Sequence, residues 1–396
     1  MKIIQRKQYT AVLDALKDKN LIKVVTGIRR CGKSVLLEIQ REKLKKQGFH
    51  TLYYNFEDAE NLEPNDWNVL YNKIISQCKP DEMNYIFLDE VQMITDFERL
   101  VDSLFVKKNT DVYITGSNAF LLSSGLATLL SGRFFELNIL PFSYSEYKEC
   151  LPDATLNDYL HTGGMPGAVD LLSSGENLAL QYLNDVYNSV VLQDVITRNN
   201  IGNPLELFAV ARFAFDSVGS PLSPNSISKM LKSENKSVDS RLVFKLLEAL
   251  KDAFVLYESK RFDIKGKEQL RTISKFYLID LGFRRMLIGK PKFSDIGHLL
   301  ENIVYLELIR QGNKVWTGKY AENEIDFVVQ NQKGVTEYYQ VAYTAKEEST
   351  LQRELRPFEK LNDNYRKILL TTDELEFNNN GIEQLNIEKW LLGFGQ

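Results

Sequence analysis

The residue types best suited to chemistry stand in the first third of the chain. Gly27-Ile28-Arg29-Arg30-Cys31-Gly32-Lys33-Ser34 follows an apolar, β-branched run at 22–26 and leads into the helix-like Val35-Leu36-Leu37-Glu38-Ile39-Gln40. Strand, glycine loop and helix in that order make a cradle for phosphate: the glycines let successive N–H groups turn inward, and the positive end of the helix dipole favours an anion. On this pattern Lys33 reaches the β- and γ-phosphates of ATP, and the Ser34 hydroxyl ligates the Mg2+ that bridges them. The expected nucleotide-contacting set is Gly27, Ile28, Arg29, Arg30, Cys31, Gly32, Lys33, Ser34 and Val35. Arg29 and Arg30 either add positive charge over the phosphates or stay solvated, and Cys31 reads as a small loop residue.

Hydrolysis also needs carboxylates opposite the loop. Tyr85-Ile86-Phe87-Leu88-Asp89-Glu90 supplies two at the end of an apolar strand, Asp89 for the magnesium shell and Glu90 to orient and deprotonate the attacking water. A further strand, Asp111 to Thr115, ends in Gly116-Ser117-Asn118, where a doubly wound sheet presents its carboxyl edge to ligands. Asn118 is the water-positioning candidate there, and helix capping is the alternative. Arg133, in Leu130-Ser131-Gly132-Arg133-Phe134, is placed either to stabilise charge on the transferring phosphoryl group, in its own subunit or a neighbour's, or to cap a helix or make a salt bridge.

With these residues assembled, the first third resembles AAA-type P-loop ATPases: Walker A at Gly27 to Ser34, Walker B at Ile86 to Glu90, a sensor-like Asn118 and a Gly-Arg-Phe element at Arg133. The phrases GIRRCGKS, TGSNAFLL, LLSGRFFELNILPFS and GGMP together are similar to one bacterial and archaeal family, AAA ATPases joined to a C-terminal domain of unknown function. The resemblance implies ATP and Mg2+ as cofactors. It also implies that the Gly163-Gly164-Met165-Pro166 turn belongs to a lid after the core, where glycine and proline alone say only "turn".

The rest of the chain carries other patterns. Residues 205–285 read as three helices and a hairpin, a winged-helix outline in which Lys260, Arg261, Lys265 and Lys267 are the strongest basic feature. Residues 295–396 read as helix, three strands, helix and strand. In that segment Glu301, Glu324, Asp326 and Gln340 look similar to the restriction-endonuclease-like PD-(D/E)xK pattern. Gln340 and Ala342 stand where a working site carries a carboxylate and a lysine, so a degenerate, vestigial nuclease-like site is expected. The expected fold class is α/β: a P-loop AAA-type parallel-sheet core at 1–144, a helical lid at 145–204, a winged helix at 205–290 and the nuclease-like α/β module at 291–396.

Composition narrows the function classes. At 396 residues, with 44% hydrophobic and 26% charged residues, the chain is long enough for several cores, and its apolar runs are too short to span a bilayer. Three dispersed cysteines and three dispersed histidines fit neither a disulfide framework nor a zinc cluster, and the expected location is the cytoplasm. A net charge of -4 provides no global field for nucleic acid. The expected activity is ATP hydrolysis driving a conformational switch or motor. The expected partners are ATP and ADP, then double-stranded DNA or a protein client, in a homo-oligomer and without a membrane. Its rivals are an ATP-gated nucleic-acid-binding or nuclease effector and a protein-scaffolding ATPase.

Overall fold

Apolar strand segments alternate with helices through the first third of the chain, and that alternation builds a parallel sheet with helices on both faces. The computed structural model describes residues 3–62, 65–117, 132–234, 236, 238–266, 268–320 and 322–393. They form two compact units, Met1–Leu140 with Asp252–Phe254, and Pro141–Lys251 with Val255–Gln396.

The first unit holds strands β1 (Ile22–Thr26), β2 (His50–Asn55), β3 (Asn84–Asp89), β4 (Thr110–Gly116) and β5 (Phe134–Asn138), in the order β2-β3-β4-β1-β5. Every pairing is parallel. All residues of β1 and β3 are buried, as expected for strands covered on both faces. One face packs Ile22, Val24, Ile86, Leu88, Val112 and Ile114 against Leu70, Ile74, Leu100 and Leu104 of the covering helices. Each such side chain contributes roughly 1.5–3 kcal/mol by leaving water. Because β1 lies between β4 and β5, the chain order reverses beside it, and the register places the ends of β1, β3 and β4 level: Thr26 faces Gly116 and Leu88 faces Ile114. The crevice of a doubly wound sheet opens at that edge.

The second unit begins with the helix-rich stretch expected after the core. Helices Tyr144–Cys150 and Leu156–Thr162 each open with a capping box, Ser143 with Glu146 and Thr155 with Asp158. The Gly163-Gly164 turn has a specific physical cause. The Gly164 N–H donates to Asp280 Oδ2 at 2.6 Å and the Gly282 N–H to Oδ1 at 2.8 Å. A Cβ on Gly163 would stand 2.0 Å from Asp280 Oδ1, and one on Gly164 would stand 2.2 Å from the Phe142 carbonyl oxygen.

The three helices and hairpin expected at 205–285 are present as Pro204–Asp216, Pro224–Ser233 and Ser240–Asp252, with β7 (Leu256–Asp263) antiparallel to β8 (Glu268–Leu278) and a short β6 (Pro221–Leu222) beside β8. Helix Ile296–Arg310 follows, then β9 (Lys314–Tyr320), β10 (Asn323–Gln330), β11 (Thr336–Val341), helix Glu348–Glu359, β12 (Arg366–Thr371), β13 (Phe377–Asn379) and β14 (Ile382–Asn386). One feature has no signal in the local sequence: β7 pairs in parallel with β9, Arg261 opposite Thr317, so hairpin and C-terminal strands form one nine-stranded sheet, β13-β14-β12-β11-β10-β9-β7-β8-β6.

Candidate nucleotide-binding site

The loop after β1 can be made only with glycine at its first position. Gly27 has φ +145°, and a Cβ there would stand 2.4 Å from the Ile139 carbonyl oxygen. Gly32, at φ 100°, caps helix Lys33–Lys46. Ile28 and Cys31 are fully buried and root the loop. Beneath it lies Arg6, which donates to the carbonyls of Cys31 at 3.0 Å and Leu140 at 2.7 Å and stands 4.7 Å over the Tyr9 ring. Arg6 escaped the sequence reading because it lies 21 residues before the loop with no motif around it.

The buried Lys33 ammonium donates to the carbonyls of Gly27 at 3.2 Å and Ile28 at 3.3 Å, and lies 3.4 Å from Glu90 Oε1. Ser34 is half-buried in the first helical turn, and Val35 is exposed. Arg29 lies 3.8 Å from Glu57, and Arg30 is exposed with φ 65°.

Asp89 is fully buried at the end of β3. Its Oδ2 accepts from the Tyr53 hydroxyl at 2.8 Å, and its Oδ1 accepts from the Thr115 hydroxyl. Thr115 in turn accepts the Glu90 N–H at 2.8 Å, so one hydroxyl ties both carboxylate residues to β4. Burial, reinforced by the Asp89 charge, pushes the Tyr53 phenol up, which keeps it a proton donor to Asp89.

Glu90 occupies the left-handed region at φ 54°, a conformation costing on the order of 1 kcal/mol for a non-glycine residue. That kink aims its carboxylate between Lys33 and Gln92, whose amide donates to Glu90 Oε2 and, at 3.3 Å, to Ser117 Oγ. Burial raises the Glu90 pKa, but the Lys33 charge and the Gln92 hydrogen bond outweigh it, and the group titrates below the ordinary glutamate value. Among the described residues, Gln92 Oε1 has no hydrogen-bond partner although it is buried. Tyr53, Gln92 and Thr115 were not read from the sequence. Their one local signal is a polar group at or beside the end of a strand neighbouring the site.

Two further expectations have different outcomes. Asn118 lies outside the described residues. Arg133 is half-exposed and pairs with Asp102 at 2.8 Å, the salt-bridging alternative.

In the second unit, Glu301 on helix Ile296–Arg310 comes together with Glu324 and Asp326 on β10, and Gln340 on β11 accepts the Asp326 N–H at 3.2 Å. Asp326 sits where the β9–β10 register slips between Ile325 and Val328, the kind of bulge that re-aims a side chain. The residue at the centre of these carboxylates is Lys275 of β8, which the sequence reading did not single out. Its signal is a lysine inside the apolar strand Ile273 to Leu278.

Among the described residues, no group of three or more His, Cys, Asp and Glu is arranged to hold a metal ion, and no helix is long and apolar enough to cross a membrane.

Comparison with known proteins gives two family matches: an AAA domain over residues 19–148 and a domain of unknown function (DUF8612) over residues 153–294. An uncharacterized protein of Haemophilus influenzae is 37% identical over 98% of this chain and 99% of its own length. One of Methanocaldococcus jannaschii is 27% identical over 93% of this chain and 85% of its own. Among solved structures, AMPPCP-bound DnaA from Aquifex aeolicus aligns at TM-score 0.34 and 16% identity, covering 62% of this chain and 88% of that one. Drosophila ORC bound to AT-rich DNA and Cdc6 aligns at TM-score 0.26 and 9% identity, covering 71% and 90%.

Proposed function

Because the chain belongs to the family of AAA-type P-loop ATPases joined to a C-terminal domain of unknown function, we propose that it binds Mg-ATP at the edge of β1, β3 and β4 and hydrolyses it to drive a conformational switch. The observation that carries this reading is the convergence of Lys33 with the adjacent Asp89 and Glu90, from two segments more than fifty residues apart, with Lys33 and Glu90 3.4 Å apart.

In this reading Lys33 and the loop N–H groups bind the β- and γ-phosphates, and Ser34 and Asp89 hold Mg2+. The residues fit that ion: each Asp89 oxygen accepts one hydrogen bond and keeps a lone pair, and both donors are neutral hydroxyls. When bound, the ion neutralises charge on the phosphates. Glu90 takes the proton of the attacking water. Lys33 makes Glu90 a weaker base while the two lie together, so drawing the ammonium onto phosphate leaves a buried, unpaired and more basic carboxylate at the moment it is needed. Gln92 holds that carboxylate from its other side and ties it to the end of β4, where Asn118 is proposed to contact the γ-phosphate or position the water.

Residues 145–204, 205–290 and 291–396 are proposed as the lid, winged-helix and nuclease-like parts that respond. DNA is proposed as a partner on account of the hairpin, where Lys260 and Lys265 are exposed. Arg261 is drawn away from that role, 3.7 Å from Glu324. Arg133 is proposed to act on a neighbouring subunit's nucleotide in a homo-oligomer, for which its present partner Asp102 must be exchanged.

The test is steady-state ATP hydrolysis by wild type and Glu90→Gln, with and without double-stranded DNA. Turnover abolished by the substitution establishes the reading, and stimulation by DNA identifies the partner. Turnover that survives Glu90→Gln overturns the assigned base.

A further inference from the structure

The carboxylate cluster of the second unit contains its own cation. The ε-ammonium of Lys275 lies 2.8 Å from Glu301 Oε1, 2.9 Å from Glu324 Oε1 and 3.5 Å from Asp326 Oδ1. An ammonium has three N–H donors, and three carboxylates from two different elements face them. Tyr277, two residues along and therefore on the same face of β8, donates to Glu301 Oε1 at 2.6 Å. The second oxygen of Asp326 is tied to the Val341 N–H at 2.9 Å, and Glu301 Oε2 lies 3.7 Å from His298 Nδ1. The Gln340 amide donates to Glu354 at 3.2 Å and contributes no negative charge toward the cluster.

We infer that the Lys275 ammonium stands permanently where a nuclease-like module would hold a divalent cation between Glu301, Glu324 and Asp326, so that this site takes no metal and cleaves no phosphodiester. A divalent ion on these oxygens must sit within about 2.0–2.6 Å of them. The oxygens it needs are the ones turned toward Lys275, so ion and ammonium would overlap. Adding a double positive charge beside a buried single one is also strongly unfavourable. The carboxylates are kept as a lock. They fasten β8 to β10 and to helix Ile296–Arg310, and their removal from water is offset by the one cation they share. That role needs the acidic residues whether or not a working site is present, and Gln340 and Ala342 stand where such a site carries a carboxylate and a lysine. The inference is independent of the ATPase reading, since every group in it belongs to the second unit.

The experiment uses the full-length, nucleotide-free chain and Mn2+ as probe, followed by calorimetric titration and by thermal unfolding. Wild type is expected to bind no Mn2+ at this cluster and to show no Mn2+-dependent rise in Tm. Lys275→Ala is expected to gain one Mn2+ per chain that wild type does not bind, because the cluster then loses the one cation shared by all three carboxylates and keeps only Arg261, 3.7 Å from Glu324, and His298, 3.7 Å from Glu301. Its Tm should fall without metal and rise on adding Mn2+, and the further change Asp326→Asn should abolish that response. Lys275→Met, which retains the packing of the lysine stem, carries the same test if the alanine variant folds poorly. Mn2+ binding or Mn2+-dependent DNA cleavage by wild type that disappears on Asp326→Asn overturns the inference. So does a pair of Lys275 variants that Mn2+ neither binds nor stabilises.

Discussion

Lys33 Nζ lies 3.4 Å from Glu90 Oε1, so the residue expected to hold phosphate and the residue expected to activate water are held against each other. The contact is buried and the two charges stabilise one another. A ligand that claims the lysine therefore changes the glutamate. In the proposed roles, phosphate recognition and base strength would be coupled through this ion pair.

Replacing Glu90 with Gln removes the proton acceptor but preserves size and the contact with Gln92. Hydrolysis should fall by about 10²–10⁴-fold while ATP binding is kept or strengthened. Single-turnover kinetics and equilibrium binding of a fluorescent ATP analogue check both halves.

The coupling also predicts a pH signature. In the unliganded protein Lys33 holds the Glu90 pKa below the ordinary glutamate value, and in the ATP complex that support is withdrawn. The acid limb of kcat/KM should therefore lie at lower pH than the acid limb of kcat. Equal limbs would count against Glu90 as the base.

Gln92→Ala should lower kcat by about tenfold with little change in KM, because the Gln92 amide hydrogen-bonds Glu90 and Ser117. A residue needed only for folding would instead lower Tm at unchanged kcat per folded molecule. Gln92→Glu should move the acid limb upward, since a second carboxylate opposes ionisation of the first.

Arg6→Ala leaves the carbonyls of Cys31 and Leu140 without their donor and the Tyr9 ring without its cation. A loss of about 1–3 kcal/mol in unfolding free energy is expected, with weaker ATP binding because the loop is no longer held from below. Urea titration and nucleotide affinity measure the two effects.

Asp280 gives a stability prediction in the second unit. Burial pushes its carboxyl up to about 7 against the N–H groups of Gly164, Gly282 and Met165, which pull it down. A folded-state value above the unfolded one means the folded chain binds the extra proton. Stability from this group is therefore full below the unfolded value of 3.8 and is lost as pH rises toward about 7. Asp326, also raised to about 7 by burial and by Glu301, adds to the same slope. The contribution of Asp280 to unfolding free energy should fall between about pH 4 and pH 7, so the difference in stability between wild type and Asp280→Asn should change in that direction over the same range. In the same turn, Gly164→Ala should destabilise markedly, because its methyl group has no room beside the Phe142 carbonyl.

Much of the first unit was legible because its signals are local. A buried strand is an apolar run, and the expected strand at 22–26 is β1 to the residue. The glycine loop is a contiguous motif that carries Lys33, and Asp89 and Glu90 stand at the end of an apolar run, so local pattern was enough to single out all three as candidates. The groups that orient them were not legible. Tyr53 and Thr115 reach Asp89 only because β2, β3 and β4 lie side by side with their ends level, and that register belongs to the sheet. Gln92 is two residues from Glu90, yet its role depends on the left-handed turn at Glu90 that folds its amide back.

By itself, the sequence determined the buried strand at 22–26, the glycine loop with its lysine and the Asp89-Glu90 pair at a strand end, because each rests on neighbours along the chain. The tertiary structure alone decided which charges meet. It brought Arg6 under the loop, Asp280 to the Gly163-Gly164 turn and Lys275 into the carboxylates of β10 and helix Ile296–Arg310. A buried charge must find its partner wherever packing brings one within reach, and the Coulomb energy that selects the partner falls with distance in space whatever the separation along the chain.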